Sequence, residues 1–131
     1  GNLDLLKEVN QKKDPWSINT LAELAGRFMF RDDEYIQRTK TLIHQEMERV
    51  SRELSSFGSV KVYPGCGNFL LAKIQREGVD AQQLFDHCIR QKMMIRNCST
   101  FPFLDDRYFR FCVMLPEQND RLLAAFAQLL K

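Results

Sequence analysis

Two rhythms of apolar positions divide this chain. Between Ile18 and Phe57 they recur every three or four residues, and between Val60 and Val113 they come in short runs and alternations. After Pro116 the helical spacing returns. Residues 1–14 carry Leu3, Leu5 and Leu6 in an otherwise polar, poorly patterned stretch, which reads as a connecting segment. Pro15-Trp16 ends any helix arriving from upstream. A first helix is expected from Ser17, its N-cap, to Phe30, apolar at Ile18, Leu21, Leu24, Ala25 and Phe28. Asp32 or Asp33 caps a second, longer helix. Its stripe Ile36, Ile43, Met47, Val50, Leu54 and Phe57 has offsets of 7, 4, 3, 4 and 3, which describes one buried face. Gly58 stops it. Glu46, Glu48, Arg49, Arg52 and Glu53 lie off that stripe and read as a solvated face without function.

After Gly58 the period shortens. Val60 and Val62 alternate with Ser59 and Lys61, the segment Tyr63-Pro64-Gly65-Cys66-Gly67 turns the chain, and Asn68–Ile74 reads as a second strand. A helix over about 81–90, capped by Gly78-Val79-Asp80, buries Leu84, Phe85, Cys88 and Ile89. Met93–Arg96 is a short strand, Asn97–Asp106 a loop, and Tyr108–Val113 the last strand. Pro116 opens a final helix through Leu122, Leu123, Phe126, Leu129 and Leu130. The order ααββαββα describes an α+β domain over 15–131, with a small, mostly antiparallel sheet covered by helices.

Composition narrows the function classes. With 131 residues and 44% hydrophobic positions, the chain is long enough to bury a core. Nineteen basic against seventeen acidic side chains give +2, and the cations are scattered, so no nucleic-acid partner is expected. No apolar run has the length of a membrane span, so no membrane partner is expected either. Cys66, Cys88, Cys98 and Cys112 contain no CxxC pair, and His44 and His87 are far apart. The cysteines therefore read as reduced small hydrophobes in a cytoplasmic protein, the histidines as surface or boundary groups, and no metal site is expected.

The chemistry worth attention sits on two arginines. Arg96 and Arg110 each end or interrupt an apolar strand (MMIR and YFRFCV). Alternation places Tyr108, Arg110 and Cys112 on one face of the last strand and Phe109, Phe111 and Val113 on the other. Arg110 therefore meets solvent, a carboxylate such as Asp105 or Asp106, or a ligand anion, for which the planar guanidinium fork is well suited. From pattern alone the salt bridge comes first and the ligand second. Asn68 reads as a turn residue capping its own loop. No nucleophile–base pair or paired carboxylates stand out.

Several segments taken together are more specific. DPWSINTLAELAG, VKVYPGCGNFLLAKI, MMIRNCSTF and DDRYFRFCVMLPEQNDRLLAAF occur in this order with the spacing found at the C-terminal end of fold-type I pyridoxal-phosphate enzymes. The chain resembles the histidinol-phosphate aminotransferase-like group, and within it the threonine-phosphate decarboxylases of cobalamin biosynthesis. The resemblance implies the small C-terminal domain of such an enzyme. It implies that Arg110 binds the α-carboxylate of an amino-acid phosphate, that Arg96 meets its phosphate, and that Asn68 lies near the substrate pocket. It implies a large domain upstream that carries the pyridoxal phosphate and its lysine, and a homodimer as the full-length form. It also implies that this chain alone has no catalytic lysine and is inactive. A histidinol-phosphate aminotransferase uses the same anchors, while a free-standing ligand-binding or structural domain is the reading outside enzymology. Phe103 stands where the group usually has glycine, which is expected to reshape the loop after Arg96.

Overall fold

A computed structural model describes residues 2–13 and 18–131. By its internal contacts the chain forms two compact units, Gly1–Arg38 and Thr39–Lys131. The Pro15-Trp16 break, the Ser17 cap and the expected boundary at residue 15 lie outside the described residues.

The first unit contains two helices and the start of a third. The expected unpatterned connection holds a helix, α1 (Leu3–Lys12), capped by the Asn2 side chain, which accepts from the backbone N–H of Asp4 at 2.9 Å. Asp4 in its first turn and Lys12 in its last both favour the helix dipole. Helix α2 (Thr20–Met29) starts later than the sequence suggests because Asn19 takes the cap, accepting from Ala22 N–H at 2.8 Å. Neither helix buries a residue; Leu21 is 78% and Phe28 71% exposed. Asp32 caps α3 (Asp33–Ser55) through Tyr35 N–H at 2.9 Å.

The second unit holds the sheet. Strands β1 (Val60–Tyr63), β2 (Phe69–Ile74), β3 (Arg96–Asn97) and β4 (Tyr108–Cys112) lie in the order β1-β2-β4-β3, every neighbour antiparallel. Helices α4 (Ala81–Arg90) and α5 (Pro116–Leu130) complete the expected order, with α1 added in front. The first turn after β1 needs Gly65, since a Cβ there would come within 2.9 Å of the Phe69 carbonyl oxygen. Strand β3 starts at Arg96, three residues later than the spacing suggests, because Lys92 in the left-handed region (φ 62°) and Met93 N–H on Cys88 O close the end of α4 first.

One sheet face is the core. Val60, Leu70, Ala72, Ile74, Phe109, Phe111 and Val113 meet Leu84 and Cys88 of α4, Val50 and Leu54 of α3, and Leu122, Phe126 and Leu130 of α5. Phe126 packs edge-on against Phe109 and Phe111, with centroids 5.4 and 5.2 Å away. Ile89, expected inside, is 40% exposed. Its neighbours Leu84 and Cys88 hold the buried stripe, one turn apart.

The expected solvated face of α3 is corrected at Glu46 and Arg49. Glu46 is only 6% exposed. Its carboxylate accepts from Arg49 Nε at 2.9 Å and Nη2 at 2.7 Å, and from Asn119 Nδ2 at 2.7 Å. Arg49 Nη1 also meets Asp120 at 2.7 Å. Asn119, itself buried, donates to Met114 O and accepts from Met114 N–H, both at 2.9 Å. A carboxylate on the helix's polar side is thus taken inside by a partner 73 positions away, which periodicity within α3 does not reveal. The Arg49 hydrogen bonds hold the Glu46 carboxyl below its ordinary value of 4.5 against the opposing effect of burial, and Asn119 adds to the depression.

Glu46→Gln should lower stability at pH 7 by about 1–2 kcal/mol through loss of the charge-assisted bonds. A carboxyl depressed in the folded state contributes stability above its unfolded value of 4.5, lost as pH falls through the lower folded value. Urea midpoints measured from pH 7 down to 3 should therefore converge for wild type and variant at the acid end.

Candidate functional site

The β3–β4 pairing settles where the two arginines go. Arg96 is the register partner of Arg110, and Asn97 that of Phe109. Residues directly opposite in an antiparallel pair project to the same face. Both guanidiniums therefore stand together on the face away from the core, Arg96 exposed and Arg110 half-buried. That face also carries Lys61 and Tyr63 of β1, Phe69, Leu71 and Lys73 of β2, and Tyr108 and Cys112 of β4.

The expected salt bridge from Arg110 to Asp105 or Asp106 is not formed. Asp105 is taken by Lys73, Nζ to Oδ2 at 2.9 Å, and its other oxygen accepts from Arg107 N–H at 3.0 Å. The Lys73 bond lowers the Asp105 carboxyl and raises the Lys73 amine. Asp106 offers its carbonyl to Ala81 N–H. Among the described residues neither Arg96 nor Arg110 has a carboxylate partner. Their neighbours are aromatic: Arg110 lies 4.7 Å from the Phe69 ring centroid and 5.9 Å from that of Phe101, and Arg96 lies 5.6 Å from Phe101. Cys98 reports both charges, since burial pushes its thiol up while Arg110 and Arg96 pull it down. Two like charges facing each other at a protein surface repel by about 0.5–3 kcal/mol. An anion seated between them removes that repulsion.

The space for one is an open depression of about 600 Å³, bordered by both arginines with Gln82, Asn97, Ser99 and Thr100. Asn97 Nδ2 donates to Gln82 Oε1 at 3.0 Å and its own oxygen accepts from Ser99 N–H at 2.9 Å, which fixes this rim. Asn68 is not brought to it. It borders a separate depression of about 390 Å³ with Lys40, His44 and Cys66. Its carbonyl accepts from Val113 N–H at 2.7 Å, and among the described residues its side chain caps nothing. Of the cysteines, Cys88 and Cys98 are buried as small hydrophobes, whereas Cys66 and Cys112 are exposed. Burial pushes the Cys88 thiol up to about 11, which makes it inert. His44 is exposed beside Glu48 at 3.5 Å, and half-buried His87 meets Gln91 at 2.8 Å. Sequence reasoning missed Phe69 and Phe101. An aromatic in a turn and one at a strand start carry no signal until the register places them beside the arginines.

A four-stranded antiparallel sheet with helices packed on one face matches the C-terminal domain of aminotransferase-like structures. The chain matches, over 95% of its length, homologues that are threonine-phosphate decarboxylases and histidinol-phosphate aminotransferases, which are fold-type I pyridoxal-phosphate enzymes. It is 35% identical over 125 residues to threonine-phosphate decarboxylase of Salmonella typhimurium, a match that covers 95% of this chain and 34% of that protein. The structure of histidinol-phosphate aminotransferase from Clostridium acetobutylicum superposes with a TM-score of 0.86 at 29% identity, over 97% of this chain and 38% of that one. That of L-threonine-O-3-phosphate decarboxylase from Porphyromonas gingivalis gives 0.83 at 25% identity, over 99% and 40%. The chain spans about a third of the length of the curated relatives it matches. No family model matches it.

Pyridoxal phosphate does not fit the residues present. It requires a lysine amine directed into a cleft. Among the described residues no lysine borders the arginine depression. Lys73 is tied to Asp105, Lys61 and Lys131 lie over the rings of Tyr63 and Phe57, and Lys40 at the second depression is exposed.

Phe103 adopts φ 68° and is fully exposed. The loop thus keeps a left-handed turn of the kind glycine favours, carrying a phenylalanine in it. Since neither conformation nor packing rewards the ring, Phe103→Gly should raise stability by about 0.5–1 kcal/mol, read as a higher urea midpoint at unchanged slope.

Proposed function

We propose that this chain is the substrate-gripping domain of a pyridoxal-phosphate-dependent threonine-phosphate decarboxylase of cobalamin biosynthesis. In this reading Arg110 takes the α-carboxylate and Arg96 the phosphate of an amino-acid phosphate. The observation that carries the reading is the Arg96–Arg110 register pair, two adjacent guanidiniums without a carboxylate between them among the described residues. A carboxylate and a phosphate joined by a short carbon chain offer one anion to each fork, with charge-assisted, two-point geometry. Asn68, which borders the second depression, stands outside this arginine pair.

The domain's work is positioning. Holding both ends of the substrate fixes its α-carbon relative to a reactive group supplied by another part of the protein, converting an encounter into an aligned, unimolecular step. The partners of this reading are a large domain that binds the cofactor and a second copy of the full-length chain. A histidinol-phosphate aminotransferase is the second reading, favoured by the Clostridium acetobutylicum superposition. Its substrate also carries a phosphate, and the two activities differ in which α-carbon bond is held ready to break.

In the full-length protein Arg110→Gln and Arg96→Gln should each raise KM for O-phospho-L-threonine about 10- to 100-fold, the loss of one charge-assisted contact. Carbon dioxide release without added keto acid supports the decarboxylase, whereas amino transfer that depends on keto acid supports the second reading. Unchanged kinetics in both variants would remove the arginines from the substrate.

A further inference from the structure

Two guanidiniums side by side, without a carboxylate partner among the described residues, need something besides a ligand to stay aligned when the site is empty. Repulsion drives them apart, and each has several rotatable bonds by which to go. The Phe101 ring lies near both, 5.6 Å from Arg96 and 5.9 Å from Arg110, and it is the one aromatic among the described cation–ring contacts shared by two cations. It is 39% exposed and is not counted with the buried core. Its loop is short and tied on both sides. Phe101 N–H donates to Cys98 O at 3.0 Å, and Leu104 N–H returns to Phe101 O at 3.2 Å. Cys98, the anchor of this turn, is 1% exposed, and its N–H extends the sheet ladder to Tyr108 O at 2.9 Å. The ring is thus fixed to the same β3–β4 frame that carries both arginines.

We propose that Phe101 is a positioning residue of the anion site, a shared π platform that holds the Arg96 and Arg110 side chains at one spacing and so sets which anions they grip. The negative face of an aromatic ring attracts a cation without neutralising it. A carboxylate in the same place would hold the arginines equally well, and would also occupy the hydrogen-bond donors that the ligand needs. An aromatic platform leaves those donors free. Phe69 does the same for Arg110 alone, at 4.7 Å. Phe101 therefore governs the pairing, and Phe69 governs one member of it. This assignment rests on the reading that the two guanidiniums take an anion.

The test uses this chain, inorganic phosphate as probe, and two-dimensional NMR of the arginine Nε–H groups. In wild type, phosphate should shift the Arg96 and Arg110 resonances together with one dissociation constant. Phe101→Leu keeps apolar bulk and loses the π face. It should weaken phosphate about three- to tenfold, the loss of one to two exposed cation–π contacts. Phe101→Trp should restore wild-type affinity, and the thermal midpoint of both variants should stay near wild type. If phosphate moves neither arginine in wild type, the anion site itself is wrong. If it moves both and Phe101→Leu binds as tightly as wild type, the anion site stands and the platform is wrong. Should Phe101→Leu not fold, the wild-type spectrum decides: nuclear Overhauser contacts from the Phe101 ring to both arginine side chains support the platform, and their absence from either overturns it.

Discussion

The alternation of β4 is the constraint on which the rest depends. Phe109, Phe111 and Val113 point to one side and are 0, 3 and 3% exposed, while Tyr108, Arg110 and Cys112 point to the other. A slip of one residue would exchange the sets, exposing two rings worth about 1.5–3 kcal/mol of burial each and driving a guanidinium into the core. The apolar side of the strand therefore fixes the polar side. The register of β3 on β4 then brings Arg96 opposite Arg110 without any direct attraction between them. Core packing, which has no preference for arginine, ends up dictating where two of them stand.

A second lock acts at the far end of the same strand. Asn119 clamps both backbone groups of Met114 just after β4 and passes a hydrogen bond to Glu46 on α3. Arg49 completes the arrangement by reaching Glu46, Glu53 and Asp120. Buried polar groups specify geometry more sharply than apolar ones because each unsatisfied atom is costly. This cluster is fully satisfied. It sets the path from β4 into α5, and with it the depth at which Phe126 meets Phe109 and Phe111.

How much of this the chain order discloses depends on the range of the interaction concerned. The helix over Pro116–Leu130 and the alternation in YFRFC are local patterns, and both were legible. So were the two arginines, as charges that interrupt apolar strands. The pairing of Arg96 with Arg110 was not, because register between strands separated by a loop follows from the core and not from the strands' own composition. Glu46 was misread for the same reason, its partner lying 73 positions away. The helix over Leu3–Lys12 was missed on other grounds: Leu5, Leu6 and Val9 recur at helical spacing, but the run is short, mostly polar and buries nothing. The composition reading of scattered cations holds along the chain, yet the sheet gathers Lys61, Lys73, Arg96 and Arg110 on one face among Tyr63, Phe69 and Tyr108. Segregation of charge can be a product of folding alone.

An arginine pair without a counter-charge among the described residues has a consequence for binding. Most surface cations lose hydration and side-chain freedom when they meet an anion, which is why exposed ion pairs contribute little. Here part of that cost has been met in folding. The sheet frame has already placed the two charges together, with aromatic rings beside them. On the proposed reading an incoming dianion gains twice, by its own attraction and by relief of the repulsion it finds. That gain is largest for a ligand carrying two anionic groups and smaller for one carrying a single charge, which touches one fork and leaves the other uncompensated. On the proposed reading the selectivity follows from the spacing of two like charges, and the spacing follows from which residues of β4 face the core.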